Sequence, residues 1–380
     1  MRPITDEKLE KVVSFLDENK IDVLFIFDYE NMKDINMQYL SGHPMDALVM
    51  VTRKGELFLS PWDVPLAEKY AEVDEIFNIY DYESSAAFYK FLMKEKFKKL
   101  RLTIGLNSNI PLSSYLQFKR MKPFVKVYNH PEKINRLLNE LRTTKSAAEL
   151  DLLKGAAEIG NKTILEIEKF AQNATDETEV DLDLKIRQTM LNLGAEDVAF
   201  PTLVGSTPRA HNLHCHPAAS NAKFAVPGLA VVDFGARYKG YNSDITVPIS
   251  FGELSEEQQK MRDLTQQAYD AALETLDIGV PLWQVHEAAV KVIKDGGYSM
   301  PHALGHGLGL TEHDAPILAG KPKDPKALKR WKEVKAENGM VFTIEPGVYK
   351  EGLGGQRLEN DVILWNDKVE VITKSRFITV

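Results

Sequence analysis

Three short stretches hold residues that could bind a metal: "VVDFGARYKGYNSDIT" with Asp233 and Asp244, "SMPHALGHGLGLTEHD" with His306, and "MVFTIEPGVYKEGLGGQRLENDVIL" with Glu345 and Glu359. The first reads as a hairpin turning near Tyr238-Lys239 and Gly240, in a register that sets Asp233 opposite Asp244. In the third, a glycine-rich loop centred on Gly352 sets Glu345 opposite Glu359. Like charges facing each other destabilise a strand pair. Both pairs also lie in apolar strands of a buried type, "LAVVDFG" and "MVFTIEPG", where an unpaired carboxylate is costly. A cation between them is the economical explanation. His306 is the natural fifth ligand, because the glycines on either side let the backbone come close to the site.

Four carboxylates and one imidazole form an oxygen-rich set suited to manganese, cobalt, iron or zinc. With several bidentate oxygens, five such ligands can hold two ions, and a dinuclear hydrolase is the chemical implication. Taken singly, each residue has an ordinary structural explanation. Asp244 caps a turn, Asp233 and Glu359 are surface strand residues, and Glu345 before Pro346 marks a strand end. Their combination is what favours a site.

The elements that must position these residues fall into two parts. The first alternates short apolar runs with amphipathic ones: "IDVLFIF", "DALVMVT", "GELFLS", "LRLTIGL" and "FVKVY" read as strands, "DEKLEKVVSFLDEN" and "AAFYKFLMKEKF" as helices. This is an α/β domain over 1–142. The remainder, 143–380, repeats one rhythm. Helical patterns at 146–172 and 179–193, the latter closed by Gly194, precede strands around 229–250; two more at 256–277 and 282–295 precede strands around 340–365. Two halves of helices and strands are expected. Ser146 with Glu149, and Ser255 with Gln258, have the form of capping boxes, and Gly296-Gly297 closes the last helix. The lysine-rich run 321–335 reads as a solvated insertion.

A chain of 380 residues is long enough for two cores. Hydrophobic residues at 44% and charged ones at 27% are ordinary globular values, and no apolar run reaches the length of a membrane span. The N-terminus lacks the apolar run of a signal peptide, so a cytoplasmic protein is expected. One cysteine, Cys215, excludes an internal disulfide and a thiolate zinc cluster. The net charge of -8 gives no electrostatic footprint for nucleic acid, and a small or peptide substrate is expected.

The motifs together resemble the metal-dependent creatinase and aminopeptidase family with the "pita-bread" fold, in its proline-specific branch of prolidases and aminopeptidases P. "MQYLSGH" resembles that family's N-terminal signature and "LRTTKSAAEL" its interdomain start. "VVDFGARYKGYNSDIT", "HALGHGLGLTEHDAP", "TIEPGVY" and "GGQRLENDVIL" then follow its motifs in order. The resemblance implies an α/β N-terminal domain followed by an α+β pita-bread catalytic domain. It implies metal ligands at Asp233, Asp244, His306, Glu345 and Glu359, with Asp244 and Glu359 bridging two divalent ions, manganese first and cobalt, zinc or iron as alternatives.

It further implies substrate-orienting and oxyanion-stabilising histidines at His302, His313 and His216, with His211 and His214 as the other candidates in "HNLHCH". Tyr349 and Arg357 match a tyrosine and an arginine of the family, with packing behind the ligands as their other explanation. Glu345 is the expected proton shuttle in hydrolysis by metal-activated water. The expected partners are a short peptide with proline in second position and a second copy of the chain, with neither nucleic acid nor membrane. The chain departs from the family's pattern in "DITVPIS", with Val247 and Pro248 where an arginine and a threonine are usual. It departs again at Ile317, where strict dipeptidases place an arginine, and in "RLEND". A non-catalytic peptide-binding relative and a metallo-aminopeptidase without proline selectivity are the alternative readings.

Overall fold

The apolar runs expected as strands between 21 and 128 all enter one six-stranded sheet in a computed structural model that describes every residue except 1, 31 and 221. Its order is Glu75–Ile76, Leu57–Pro61, Ala47–Thr52, Val23–Phe27, Leu102–Leu106, Val125–Val127. Val23–Phe27 runs antiparallel to Ala47–Thr52 and parallel to Leu102–Leu106. These central strands are apolar along nearly their whole length because they are buried nearly throughout. Glu75–Ile76 has too few residues to show any periodicity.

Helix Asp6–Glu18 starts at the Thr5 cap, whose side chain accepts from the Lys8 amide. The helix expected over 86–97 is instead α-helical only over Ser85–Phe91, and a π turn continues it over Leu92–Lys96. The "MQYLSGH" segment ends the helix Ile35–Ser41 on Gly42, whose φ of 74° is the left-handed cap that glycine tolerates.

By internal packing the chain divides into Met1–Leu141 and Arg142–Val380. The second unit contains the two halves expected from the sequence. Helices Ala147–Asn173 and Glu179–Asn192 pack Ile159, Ile164, Leu182 and Ile186 against strands Gly228–Phe234 and Ile245–Phe251. Helices Glu256–Thr275 and Leu282–Asp295 pack Met261, Ala268, Val285 and Ile293 against Val341–Ile344 and Asn360–Trp365. The capping boxes at Ser146 and Ser255 both form, and a third forms at Thr178 with Asp181. The run 321–335 is largely exposed and carries the short helix Pro325–Arg330. Among the described residues, no helix is long and apolar enough to cross a membrane.

One expected register is corrected. Asp233 pairs with Thr246, not with Asp244, and the ladder runs from Phe234↔Ile245 to Gly228↔Phe251. The cause is the turn. Lys239 and Gly240 both have positive φ, 50° and 87°, and together form the two-residue turn favoured between twisted strands. Tyr238 therefore pairs with Tyr241, and everything downstream lies two residues out from the expected register.

In the first unit a buried acid has a testable consequence. Asp28 is 3% exposed and accepts from the Asp34 amide at 2.6 Å. Burial pushes its carboxyl up from 3.8 to about 6, against the opposing effect of that hydrogen bond. A folded-state value above the unfolded one means that this group's contribution is fully present below 3.8 and is lost as pH rises through about 6. Asp28→Asn keeps the acceptor and removes the charge. Urea unfolding is expected to show the variant gaining stability relative to the parent chain between about pH 4 and about pH 8. A pH-independent difference would contradict this.

Candidate metal centre

The five expected ligands come from two sheets. Asp233 is the penultimate residue of Gly228–Phe234, and Asp244 immediately precedes Ile245–Phe251. In the other sheet the ladder from Val341↔Ile363 to Ile344↔Asn360 and the ribbon from Gly347↔Arg357 to Lys350↔Gly354 keep one common register. Glu345 and Glu359 face each other in the gap between these ladders, the arrangement expected from the loop at Gly352.

His306 is the middle residue of Gly305–Gly307, which lies between Asp314–Leu318 and Val341–Ile344. The flanking glycines have a steric cause. A Cβ at Gly305 would lie 2.0 Å from the Thr343 carbonyl oxygen, and one at Gly307 would lie 2.0 Å from that of Ala315. Only glycine lets this strand sit so close to both neighbours.

Oxygen or nitrogen atoms of Asp244, His306 and Glu359 all lie within 4.8 Å of one another. His306 Nε2 is 3.6 Å from Asp244 Oδ2 and 3.4 Å from Glu345 Oε1. Its Nδ1 is 3.2 Å from the Gly307 carbonyl, which can only accept, so the proton sits on Nδ1 and the Nε2 lone pair faces the carboxylates. Burial, and next the neighbouring His313, hold this imidazole down at about 4, so it is neutral at pH 7.

The acids are shifted the other way. Burial, and next the facing carboxylate of Glu359, push both Asp244 and Glu345 well above the usual carboxylate range. Glu359 is pushed up to about 8 by burial and by Asp233. Asp233 is raised by burial, against the pull of Arg357, which donates to its Oδ2 at 2.5 Å. The other oxygen of Asp233 is buried and has no hydrogen-bond partner among the described residues.

Around this cluster the side chains are tied together. Arg357 also donates to Thr246 Oγ1 at 2.9 Å and to the Tyr349 hydroxyl at 3.1 Å, while Thr246 donates to Glu359 at 2.5 Å. His302 places Nδ1 2.7 Å from the Ala303 carbonyl and Nε2 3.1 Å from the Tyr349 hydroxyl, and it lies 4.0 Å from Glu345. The exposed ring of His313 meets the His306 ring edge-on, centroids 4.1 Å apart. All eight expected residues, His216 included, line one cavity of about 620 Å³ whose apolar wall includes Phe200, Leu213 and Ile317.

Of the three histidines in "HNLHCH", both His214 and His216 reach this cavity. His214 is the one whose charge acts on Asp233 and His302. Two further groups escaped the sequence reading. Asp361 is fully buried, accepts from the Asp244 amide at 3.2 Å and leaves Oδ1 without a partner. Its signal was the strand alternation that puts positions 359 and 361 on one face. Glu179, also fully buried, accepts from the Ser206 amide and hydroxyl and pairs with Arg209. Arg209 in turn donates to the His216 carbonyl at 2.8 Å and so braces the histidine-bearing loop. Nothing local in the sequence marks that pair.

These residues fit divalent metal. Desolvated carboxylates held above their ordinary range, an Asp233 oxygen unpartnered among the described residues and an imidazole lone pair facing inwards form a hard, mostly oxygen donor set. Manganese added to metal-stripped protein is expected to raise the melting temperature, the stabilisation reaching about 2.7 kcal/mol at a hundredfold excess over Kd. Gly307→Ala, which displaces the His306 strand, is expected to abolish that rise while circular dichroism stays native. An undiminished rise in the variant would contradict the placement of His306.

Comparison with known proteins agrees with this geometry. Residues 151–365 match the model of metallopeptidase family M24, and residues 8–142 match that of the creatinase/prolidase N-terminal domain. The chain is 30% identical over 375 residues to an Xaa-Pro dipeptidase of Pyrococcus furiosus, covering 97% of this chain and 98% of that protein. Among solved structures, the prolidase of Pyrococcus furiosus superposes with a TM-score of 0.79 at 28% identity, covering 96% of this chain and 99% of that one. The X-Pro aminopeptidase of Thermotoga maritima gives 0.82 at 25% identity, covering 98% and 100%. An N-terminal creatinase/prolidase-type domain ahead of an α+β peptidase domain, matched over more than half the chain, means that this protein belongs to metallopeptidase family M24.

Proposed function

We propose that the chain is a divalent-metal exopeptidase that hydrolyses the bond between an N-terminal residue and a following proline, as an Xaa-Pro dipeptidase or Xaa-Pro aminopeptidase. The observation that carries this reading is the convergence of four carboxylates, three of them buried, and a neutral imidazole in a cavity large enough for a short peptide. The names of the relatives supply the proline preference. Asp233, Asp244, His306, Glu345 and Glu359 hold two ions, manganese first and cobalt, zinc or iron as alternatives. When bound, divalent ions supply the Lewis acidity that acidifies water and polarises a carbonyl.

The chain's own residues do the rest. Glu345 takes the proton of the attacking water and returns it to the departing proline nitrogen. His313, exposed in the cavity, donates to the carbonyl oxygen as it gains negative charge. His302, held in one orientation by Tyr349, and His216 at the rim orient the peptide. The wall of Phe200, Leu213 and Ile317 suits an apolar ring. Ile317, 67% exposed, offers no charge to a terminal carboxylate, which favours peptides longer than two residues. The catalytic part is 143–380, and residues 1–142 serve a cytoplasmic homodimer, to be checked by light scattering.

Metal-stripped and manganese-reloaded protein is assayed on an Xaa-Pro dipeptide, an Xaa-Pro-Xaa tripeptide and a proline-free control. Manganese-dependent release from the tripeptide is expected, with Glu345→Gln slower by about 10²-fold or more at equal metal loading. Cleavage of the dipeptide alone means a dipeptidase. Equal cleavage of the control means an aminopeptidase without proline selectivity, and bound metal without any turnover means a peptide-binding relative.

A further inference from the structure

A net charge of -8 conceals a strongly basic segment. Between 90 and 126 the chain carries ten Lys or Arg and a single acid, Glu95. A cavity of about 720 Å³ opens among these residues in the first unit, within the range of small-molecule sites. Lysines 90, 94, 98 and 99 stand at its rim, and its lining is otherwise apolar. Lys99 is tied to Asp22 at 2.6 Å and Lys94 to Glu95 at 3.2 Å. Lys90 and Lys98 have no carboxylate partner among the described residues.

The apolar part is unusually uncovered. Leu100 is 91% exposed and Phe124 56%, side by side with Met93 and Met121 in the lining. The same two methionines also line an apolar packing gap of about 10 Å³, walled by Phe25, Tyr89 and Phe118. Methionine is the side chain best able to move aside for an apolar guest. The π turn Leu92–Lys96 is what arranges this edge, leaving Lys94 in solvent and Met93 half-buried beside it. Such turns are frequent at functional sites.

From the lysine rim and the apolar floor we infer a second binding site in the N-terminal unit, for an anionic amphiphile with a carboxylate-type head and a hydrocarbon body. A polyanion would use the lysines and leave Leu100 and Phe124 in water. A neutral lipid would use the floor and leave the rim lysines without a partner. A single amphiphile satisfies both, its head between Lys90 and Lys98 and its chain over Met93 and Met121. The site lies apart from the metal cluster in sequence and is independent of the peptidase reading.

The test is calorimetric titration of the full chain with dodecanoate below its micellar concentration, beside acetate, dodecanol and dodecyltrimethylammonium. One dodecanoate per chain is expected, with dodecanol at least tenfold weaker and acetate not bound. The surface double variant Lys90→Glu/Lys98→Glu is expected to weaken dodecanoate at least tenfold, and Met121→Lys, which puts a charge on the floor, to do the same. No saturable binding, equal binding of dodecyltrimethylammonium, or unchanged affinity in both variants overturns the inference. Sedimentation with phosphatidylserine vesicles, but no binding of monomeric dodecanoate, overturns it in favour of a membrane surface.

Discussion

Charge crowding is the constraint on which the catalytic unit is built. Asp233, Asp244 and Glu359 lie buried together with the partly buried Glu345, and Asp361 adds another buried acid beside them. Permanent relief within the chain comes from one guanidinium, Arg357, which stays charged at every relevant pH. It answers Asp233 directly and Glu359 through Thr246. Asp244 and Glu345 accept no hydrogen bond from it among the described residues, and burial with the neighbouring carboxylates holds both well above their ordinary range. The fold therefore keeps a standing deficit of positive charge at one point, of the kind a divalent ion would fill.

Holding that deficit in place needs close backbone contacts. Glycine at 305 and 307 lets one strand sit against the carbonyls of both neighbours, and at Gly235 a Cβ would fall 2.0 Å from the Ser243 carbonyl oxygen. The two sheets are also stitched to each other. The Glu359 amide donates to the Thr246 carbonyl at 3.2 Å, and Gln356 donates to the carbonyls of Ala230 and Ile249. The candidate ligands stand in or next to strands, and the Glu359 and Asp244 amides are each held by a hydrogen bond to the other half.

Much of this was legible because strand periodicity is simple. Glu345 and Glu359 could be placed opposite each other by counting from Gly352, since the three-residue turn there adds no bulge. The same counting misplaced Asp233 and Asp244 because a two-residue left-handed turn at Lys239-Gly240 replaced the turn assumed, and turn type is decided by φ, which lysine seldom takes positive. The helices after Ser146 and Ser255 announced themselves through capping pairs, whereas the pair at Thr178 and Asp181 emerged only in the structure. Long-range partners had no local signature. Nothing near Glu179 indicates that it will meet Ser206 and Arg209, and nothing in "HNLHCH" says which imidazole turns inwards. A whole-chain charge likewise hid the basic segment at 90–126.

The division of ligands between two sheets bears on how the protein folds. Asp233 and Asp244 belong to a half assembled around helices 147–173 and 179–192, while His306, Glu345 and Glu359 belong to the half around 256–275 and 282–295. Each half can bury its own apolar core from contacts near in sequence, which form early. Bringing Asp244 to Glu359 closes a long loop and also pushes like charges together, so the last docking step is opposed by electrostatics as well as by entropy. A divalent ion reverses the sign of the first term. Bound there, it would act as a clasp on the final docking.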